Sequence, residues 1–316
     1  MKHKIIIDTD PGIDDAMAIH MAFADQRINV IGLTSIFGNV TTQKATRNAL
    51  RLAEMAHYRT IVAPGELVPL IRAPEPPADF VHGEEGFGMI PAATPVGVAC
   101  SRSAAQFLCE SCAAAPGEVT ICAVGPLTNL ATALRLDPNI VRNVKSVVIM
   151  GGSYAYHGNV SGCAEANIWN DPDSADQVFA ADWDVTMIGL DVTERTQCTP
   201  DDFAFLASES PNIGGFLNQA ANFYFDFHQS KTGVRSCFMH DPSAILAITN
   251  ANLFGFEVVP IEVVCEGEEI GRTKLYGGQG RRPIKVAINV DHVAAKEKFL
   301  GLVGNADNIL EMRKGG

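Results

Sequence analysis

Short apolar runs alternate along this chain with longer segments in which apolar residues recur every three or four positions. The runs are typical of buried β-strands, and the longer segments are typical of helices that pack one face against a sheet. We predict strands at residues 4–7, 30–35, 61–63, 119–123, 146–150 and 185–190. We predict helices at residues 13–24, 41–56 with Thr41 as N-cap, 101–115, 128–135 and 174–180. This alternation predicts an α/β fold with an open, mostly parallel twisted sheet flanked by helices.

The last third of the chain is less regular. Helices are predicted at 213–230 and 242–250, and apolar runs at 258–264 and 285–290 flank a glycine-rich turn. We expect these two runs to form an antiparallel addition to the sheet. Because no repeat, low-complexity tract or linker interrupts the pattern, we expect residues 1–316 to form a single domain.

Polar clusters follow several predicted strands at the point where each strand ends. They comprise residues 8–15, Gly38 and Asn39, residues 124–126, and the loop from Gly151 to Asp171. The carboxyl ends of parallel strands meet at one edge of a sheet, where ligands of α/β proteins bind. The long loops at 64–100 and 151–172 are of the kind that forms lids and binding loops.

The first cluster is the most informative, since Asp8, Asp10, Asp14 and Asp15 fall within eight residues and no lysine or arginine lies among them. One aspartate here would be an ordinary helix cap. Four carboxylates at one chain reversal repel one another, and a hard divalent cation relieves that repulsion. Calcium, which takes six to eight oxygen ligands, fits better than the stricter octahedral magnesium. A carboxylate beside such a cation can also serve as a general base for water.

Two further clusters suggest how a substrate binds. His240 offers an acid of near-neutral pKa, while Asp241 is either an N-cap before Pro242 or a distant ligand of the cation. Asn159, Glu165 and Asn167 crowd one loop with mainly neutral donors and acceptors. Such a set suits sugar hydroxyls better than phosphate.

Composition excludes several functions. Apolar residues make up 47% of 316 residues, the net charge is −12, and no basic face or membrane-crossing run occurs, so neither nucleic acid nor a membrane is expected as a partner. Eight scattered cysteines form no disulfide framework and fit a reducing cytoplasm. Phosphate-binding P-loops, dinucleotide-binding glycine motifs and serine-hydrolase elbows are all absent from the sequence.

The ordered motifs resemble those of the nucleoside hydrolases, the ribonucleoside N-ribohydrolases of inosine-uridine preference. The resemblance spans essentially the whole chain and is carried by residues 8–16, Gly38 with Asn39, 82–84, 124–129, 150–152, 165–168 and 240–242. It implies calcium-dependent hydrolysis of the N-glycosidic bond of ribonucleosides, in purine and pyrimidine salvage, by a homo-dimer or homo-tetramer. One departure is Ala166, at a position that is often aromatic in relatives, which leaves purine against pyrimidine preference open.

The resemblance also implies roles for individual residues. Calcium would be held by Asp10, Asp15, Asp241 and the main-chain carbonyl of Val124. The ribose hydroxyls would be held by Asp14, Asn159, Glu165 and Asn167, with Asn39 nearby and Met150 in contact with the ribose. Asp10 would activate the attacking water, His240 would protonate the departing nucleobase, and His82 would lie near the base. Phe223, Tyr224, Phe227 and His228 are either base contacts or ordinary core.

Two alternatives remain open from the residues alone. The first is a magnesium phosphohydrolase of the haloacid dehalogenase type, because Asp8 and Asp10 imitate its D-x-D motif after a strand. That chemistry also needs a phosphate-binding lysine and a later acidic pair, and neither is evident here. The second is a calcium-dependent binder of nucleosides or ribose without catalysis, although Asp10 and His240 supply both groups that turnover needs.

Overall fold

A computed structural model describes residues 2–314. Its strands are β1 (His3–Thr9), β2 (Ile28–Ser35), β3 (Ile61–Pro64), β4 (Val119–Ala123), β5 (Ser146–Met150), β6 (Val185–Ile188), β7 (Gln197–Cys198), β8 (Cys237–Phe238), β9 (Phe254–Val259), β10 (Ile261–Val263), β11 (Thr273–Leu275) and β12 (Ile284–Val290). Its helices are α1 (Ile13–Ala24), α2 (Thr42–Met55), α3 (Asp79–His82), α4 (Ala104–Ala114), α5 (Thr128–Leu136), α6 (Ile140–Asn143), α7 (Ala166–Asn170), α8 (Pro172–Ala180), α9 (Leu190–Thr193), α10 (Pro200–Glu209), α11 (Ile213–Thr232), α12 (His240–Thr249), α13 (His292–Gly304) and α14 (Ala306–Lys314).

The central sheet has eight strands in the order β3-β2-β1-β4-β5-β6-β12-β9. Every neighbouring pair is parallel except β12 and β9, which are antiparallel. This arrangement confirms the predicted α/β fold with a mostly parallel sheet. The chain runs from β1 to β2 and β3 on one side and returns to β4 on the other. The strand order therefore reverses between β1 and β4, and the crevice beyond their carboxyl ends is where such a sheet binds ligands.

Both faces of the sheet are covered, as the alternation along β1 requires. Ile5 and Ile7 belong to one hydrophobic core and Ile6 to the other. Successive side chains of a strand point to opposite faces, so a fully apolar strand serves a sheet with helices on both sides. Every residue of α1 is buried, because this helix packs among α11, α12, α13 and α14 as well as against the sheet.

Side-chain caps mark the start of several helices. The Thr41 hydroxyl accepts a hydrogen bond from the backbone N–H of Lys44, so the predicted N-cap of α2 is confirmed. Ser103 caps α4, which therefore begins at Ala104, three residues later than predicted. At α12 the N-cap is Met239, and Asp241 lies inside the first turn. The interpretation of Asp241 as an N-cap is wrong, and its carboxylate is free for another role.

The run predicted at 258–264 is interrupted at Pro260, which has no N–H to donate to a sheet. Its first part belongs to β9 and pairs antiparallel with β12, as expected. Its second part is β10, which pairs with β11 in a separate two-stranded sheet. The single strand predicted there is therefore two strands in two different sheets.

All eight cysteines are free thiols. No helix among residues 2–314 has the length and apolar character that crossing a bilayer demands. That residues 1–316 form one domain, and that the protein works in the cytoplasm, stay predictions; residues 1, 315 and 316 lie outside the described part of the chain.

Candidate active site

The acidic cluster lies in the crevice between the carboxyl ends of β1 and β4. The chain leaves β1 at Thr9, turns through Asp10, Pro11 and Gly12, and enters α1 at Ile13. This turn places Asp14 and Asp15 in the first turn of α1, where the helix dipole favours negative charge. Asp241 joins them from the first turn of α12, more than two hundred residues further along the chain.

Asp10 is held in a close backbone cradle. Its Oδ2 accepts a 2.6 Å hydrogen bond from the Asn39 N–H, whereas its buried Oδ1 has no partner among the described residues. Gly38 has φ +149°, and a Cβ there would lie 2.1 Å from Asp10 Oδ2. A Cβ on Gly125 would lie 2.6 Å from Oδ1. Only glycines allow the loops after β2 and β4 to approach the carboxylate so closely.

Asp14, Asp15 and Asp241 each offer a carboxylate oxygen within 4.8 Å of the others. Asp10 is outside that group of three. Burial raises the pKa of Asp241 well above its ordinary value, and the charges of Asp14, Asp15 and Asp10 raise it further. Burial, and then the charge of Asp15, raises the pKa of Asp10 well above its ordinary value and that of Asp14 to about 8. The carboxylates thus stand in a dry crevice in which a positive charge is needed for all of them to ionise.

Asp15 is the best hydrogen-bonded of the four. Its carboxylate accepts bonds from the Thr9 hydroxyl, from the Gly12 N–H at 3.0 Å and from the Asn39 side-chain amide at 3.0 Å. Asp14 Oδ1, by contrast, is buried without a hydrogen-bond partner among residues 2–314. An all-oxygen donor set with orphaned carboxylate oxygens fits a hard cation such as calcium or magnesium.

The opposite wall is built from β4, β5 and the loop before α7. The Asn167 side-chain amide donates to the Val124 carbonyl and to the Met150 carbonyl, both at 3.1 Å. Glu165 caps α7 and accepts bonds from the backbone N–H groups of Gly152, Asn167 and Ile168. Burial raises the pKa of Glu165 to about 7. Asn159 is exposed on the same loop, and its side-chain oxygen accepts from the Ala166 N–H at 3.0 Å.

Two predicted histidines face the site with different partners. His82 Nδ1 accepts a 3.2 Å bond from the Ile13 N–H, so its proton is on Nε2 and the ring is neutral. His240 Nδ1 lies 2.9 Å from the Thr193 hydroxyl, which can either donate or accept. Burial lowers the pKa of both rings to about 3. Only the hydrogen bond of His240 survives protonation of the ring.

These groups line one cavity of about 320 Å³, which matches the lower range of small-molecule sites. The cavity brings together nearly all the predicted residues. They are Asp14, Asn39, His82, Val124, Met150, Asn159, Glu165, Asn167, His240 and Asp241. Asp10 and Asp15 are buried beside these residues and are absent from the lining itself.

The cavity also has walls that the sequence only partly predicted. Tyr224, Phe227 and His228 of α11 line it, whereas Phe223 packs beneath Gly88. The helical spacing that marked these aromatic residues could not say which of them faced the site. The sequence analysis missed other lining residues altogether, which are Ala78, Phe80, Val81, Val160, Glu194 and Lys231. Glu194 was detectable in principle, because it follows β6 at the same edge of the sheet.

A mostly parallel sheet covered on both faces, with an acidic cavity where the strand order reverses, defines an α/β protein with a small-molecule site that could hold a cation. The family model for inosine-uridine preferring nucleoside hydrolase matches residues 5–297. The chain therefore belongs to the inosine-uridine preferring nucleoside hydrolase family.

Individual relatives agree. Uridine nucleosidase 1 of Arabidopsis thaliana is 41% identical over 302 residues, covering 92% of this chain and 90% of the relative. The inosine-uridine preferring nucleoside hydrolase of Crithidia fasciculata is 35% identical over 314 residues, covering 97% and 98%. A solved plant nucleoside hydrolase superposes with a TM-score of 0.93 at 34% identity, covering 96% of this chain and 99% of that one.

Membership confirms that the chain is a nucleoside hydrolase, an enzyme that cleaves N-glycosyl bonds. Both alternatives are thereby disfavoured. A dehalogenase-type phosphatase also lacks support from the cavity, in which the only lysine among the described lining residues is Lys231.

Proposed function

We propose that this enzyme uses a calcium ion to hydrolyse ribonucleosides to ribose and free nucleobase, in nucleoside salvage, as a homo-dimer or homo-tetramer. The observation that carries the proposal is a group of four buried aspartates in one crevice, two of which, Asp14 and Asp241, line the cavity together with His240. A nucleobase is a poor leaving group at neutral pH, and ribose offers hydroxyls that carboxylates and amides bind well. The carboxylates and amides of the cavity can bind the ribose, and a histidine can protonate the departing base.

Asp10, Asp15 and Asp241 are proposed to hold the calcium through their carboxylates, with the Val124 carbonyl as a fourth ligand. That carbonyl already accepts from Asn167, and its second lone pair remains for a cation. When bound, calcium would supply the positive charge that neutralises the carboxylates, positions the ribose and lowers the pKa of water. The close spacing of Asp14 to Asp15 and Asp241 makes Asp14 either a ribose contact, as proposed, or an additional ligand.

The remaining residues are proposed to bind the nucleoside. Asp14, Asn39, Asn159, Glu165 and Asn167 would accept or donate hydrogen bonds to the ribose hydroxyls. Met150 would pack against the sugar. Because the transition state of glycosidic cleavage resembles an oxocarbenium ion, nearby carboxylates stabilise its positive charge.

Proton transfers are assigned to Asp10 and His240. Asp10 would accept a proton from the attacking water, since its Oδ1 is buried and unpartnered beside the cavity. His240 would donate a proton to the departing base, whereas His82, with Nδ1 occupied by the Ile13 N–H, would contribute a neutral hydrogen bond near the base. General acid catalysis of this kind is worth about 10²–10⁴-fold in rate.

The direct test is to incubate the calcium-loaded protein with inosine, adenosine, uridine and cytidine and to measure reducing sugar. We expect ribose from at least one nucleoside, loss of activity after chelation, and recovery with calcium in preference to magnesium. Asp10→Asn should lower kcat by about 10²-fold or more because the base is lost. Asp8→Asn is the matched control, because Asp8 is a buried aspartate two residues away, near the end of β1, whose carboxylate accepts from Thr34 and Asn129 and has no proposed role in catalysis or binding.

Phosphate release from nitrophenyl phosphate without ribose release would replace the proposal with a phosphatase. Tight ribose or nucleoside binding without turnover would replace it with a binding protein. Full activity in the presence of an excess of chelator would remove calcium from the mechanism.

A further inference from the structure

The His240 side chain is held by Thr193, which lies in a segment that contains none of the proposed catalytic or binding residues. The ring is 6% exposed, packs at 5.6 Å from the Phe238 ring, and places Nδ1 2.9 Å from the Thr193 hydroxyl. Nε2 has no hydrogen-bond partner among residues 2–314, and the side chain lines the cavity. The protein therefore holds Nδ1 of the ring and leaves Nε2 available to a ligand.

Thr193 is well built for holding that first nitrogen. It is fully buried at the end of α9, the short helix that follows β6 at the edge of the sheet bearing the site. In the described part of the chain its hydroxyl has no hydrogen-bond partner other than His240. A hydroxyl both donates and accepts, so it stays bonded to Nδ1 whichever tautomer the ring adopts.

A second bond ties the same two segments together. The Met239 N–H donates to the Thr196 carbonyl at 2.9 Å, immediately before His240 and three residues after Thr193. The backbone bond fixes the start of α12, and the hydroxyl bond then fixes the rotation of the imidazole. Which ring nitrogen faces a ligand is set by the hydrogen bond that the other nitrogen makes.

We propose that Thr193 is a positioning residue, which orients the His240 ring so that Nε2 faces the nucleobase of the bound nucleoside. This inference rests on the proposed role of His240 in leaving-group departure. Thr193 itself touches neither the substrate nor the cation, and its effect passes entirely through the imidazole.

The chain provides a matched control three residues away. Thr196 is also fully buried in the same segment, but its hydroxyl has no hydrogen-bond partner within the described residues. Thr193→Val and Thr196→Val therefore remove the same atom from the same kind of environment. Only the first removes a hydrogen bond to His240, while Thr193→Ser retains it.

The test compares kcat and KM for inosine and for nitrophenyl riboside, whose leaving group needs no proton. Thr193→Val should lower kcat for inosine by about tenfold, the effect of about one hydrogen bond, with little change in KM. Nitrophenyl riboside should lose far less, and Thr193→Ser and Thr196→Val should stay near wild type. In a His240→Ala background, Thr193→Val should cause no further loss, because a residue acting through the ring has nothing left to orient.

A second readout does not depend on turnover. The ring ¹⁵N shifts of His240, assigned by their disappearance in His240→Ala, should change in Thr193→Val and remain unchanged in Thr196→Val. If Thr193→Val folds poorly, Thr193→Ala is measured in its place. Equal losses on both substrates, an additive loss in the His240→Ala background, or unchanged His240 shifts would each overturn the inference. Wild-type protein that releases no ribose would instead refute the proposed function, and the shifts would still report on Thr193.

Discussion

The hydrogen bond that each cavity histidine makes determines whether its ring can carry a proton. His82 accepts from a backbone N–H, which is a permanent donor, and protonation of Nδ1 would break that bond. His240 bonds a hydroxyl, which adapts to either state of the ring. The two histidines lie in one cavity and have pKa values lowered by the same burial, yet of the two only His240 has a hydrogen bond that a protonated ring can keep. This difference supports the proposed role of His240 as the general acid.

This difference gives a prediction for His240→Ala. The variant should slow hydrolysis of purine nucleosides by about 10²–10⁴-fold, because the base would depart without a proton. Nitrophenyl riboside should be affected much less, since its leaving group is stable as an anion. Steady-state kinetics on both substrates measures the ratio, and equal losses on the two would remove His240 from the role of general acid.

A third histidine, His20, affects stability rather than catalysis. It is 1% exposed in α1, lies edge-on to Phe23 and Phe216, and has an Nε2 with no partner among the described residues. Burial lowers its pKa from 6.5 to about 3. Below pH 6.5 His20 binds a proton in the unfolded chain but not in the folded protein. The free energy of unfolding therefore falls as the pH falls from 6.5 towards 3.

Replacing His20 by leucine should remove that part of the pH dependence. Between pH 7 and pH 5 the wild type should lose about 2 kcal/mol more of its free energy of unfolding than His20→Leu does. Urea unfolding at the two pH values measures the difference. His292→Leu, at an exposed position, is the control, and a wild-type pH dependence in His20→Leu would show that His20 does not contribute.

Helix α11 forms part of the cavity wall and is held in place by a close contact with α10. Tyr224, Phe227 and His228 reach the cavity from its second half, and its first turn packs against α10 through Gly214. A Cβ on Gly214 would lie 2.1 Å from the Leu206 carbonyl oxygen, which is backbone and cannot move aside easily. A Cβ on the adjacent Gly215 would meet nothing within 4 Å.

The two neighbouring glycines should therefore respond to alanine with opposite signs. Gly215→Ala should stabilise the protein by up to about 1 kcal/mol, because alanine loses less backbone entropy in a helix. Gly214→Ala should destabilise it by about 1–3 kcal/mol through overpacking, and should raise KM by displacing the aromatic wall. Thermal unfolding and nucleoside kinetics measure both effects. Similar Tm values for the two variants would mean that α10 and α11 pack less closely than the 2.1 Å approach to the Leu206 carbonyl implies.

The elements also show which features the sequence could and could not reveal. The strands and helices around the switch point were predictable because apolar periodicity is strong there, and α1 has the predicted bounds. Asp241 could be paired with Asp10 only through the resemblance, because proximity between residues so distant in sequence depends on the tertiary fold. Local patterns do not encode strand pairing or side-chain direction. The sequence therefore could not reveal the break at Pro260, the hydrogen bond between Thr193 and His240, or the position of Glu194 in the cavity.

In the whole molecule, the site brings together segments that are far apart in the sequence. Asp10, Asp14 and Asp15 come from the start of the chain, and Asp241 comes from α12, which packs against α1. Each carboxylate is buried, so their mutual repulsion is weakly screened by water. Without a cation the carboxyl groups must either repel one another or take up protons, and both oppose the packing of charged α1 on α12. A bound cation would let them ionise and would hold the two helices together.

Stability should therefore depend on calcium and on Asp241 in a linked way. Calcium at about a hundredfold excess over its Kd should stabilise the wild type by about 2.7 kcal/mol, and hence raise its Tm by several degrees. Asp241→Asn should reverse the order of the melting temperatures. In chelator it should melt above the wild type, because a buried carboxyl group that must repel its neighbours or take up a proton is gone. With calcium it should melt below the calcium-loaded wild type, because a proposed ligand is gone. Differential scanning calorimetry of both proteins in both conditions provides the four Tm values. A wild-type Tm that changes with neither calcium nor chelator would mean that these aspartates hold no such ion, whereas the predicted reversal would show that the Asp241 carboxyl group both destabilises the cation-free protein and binds the cation.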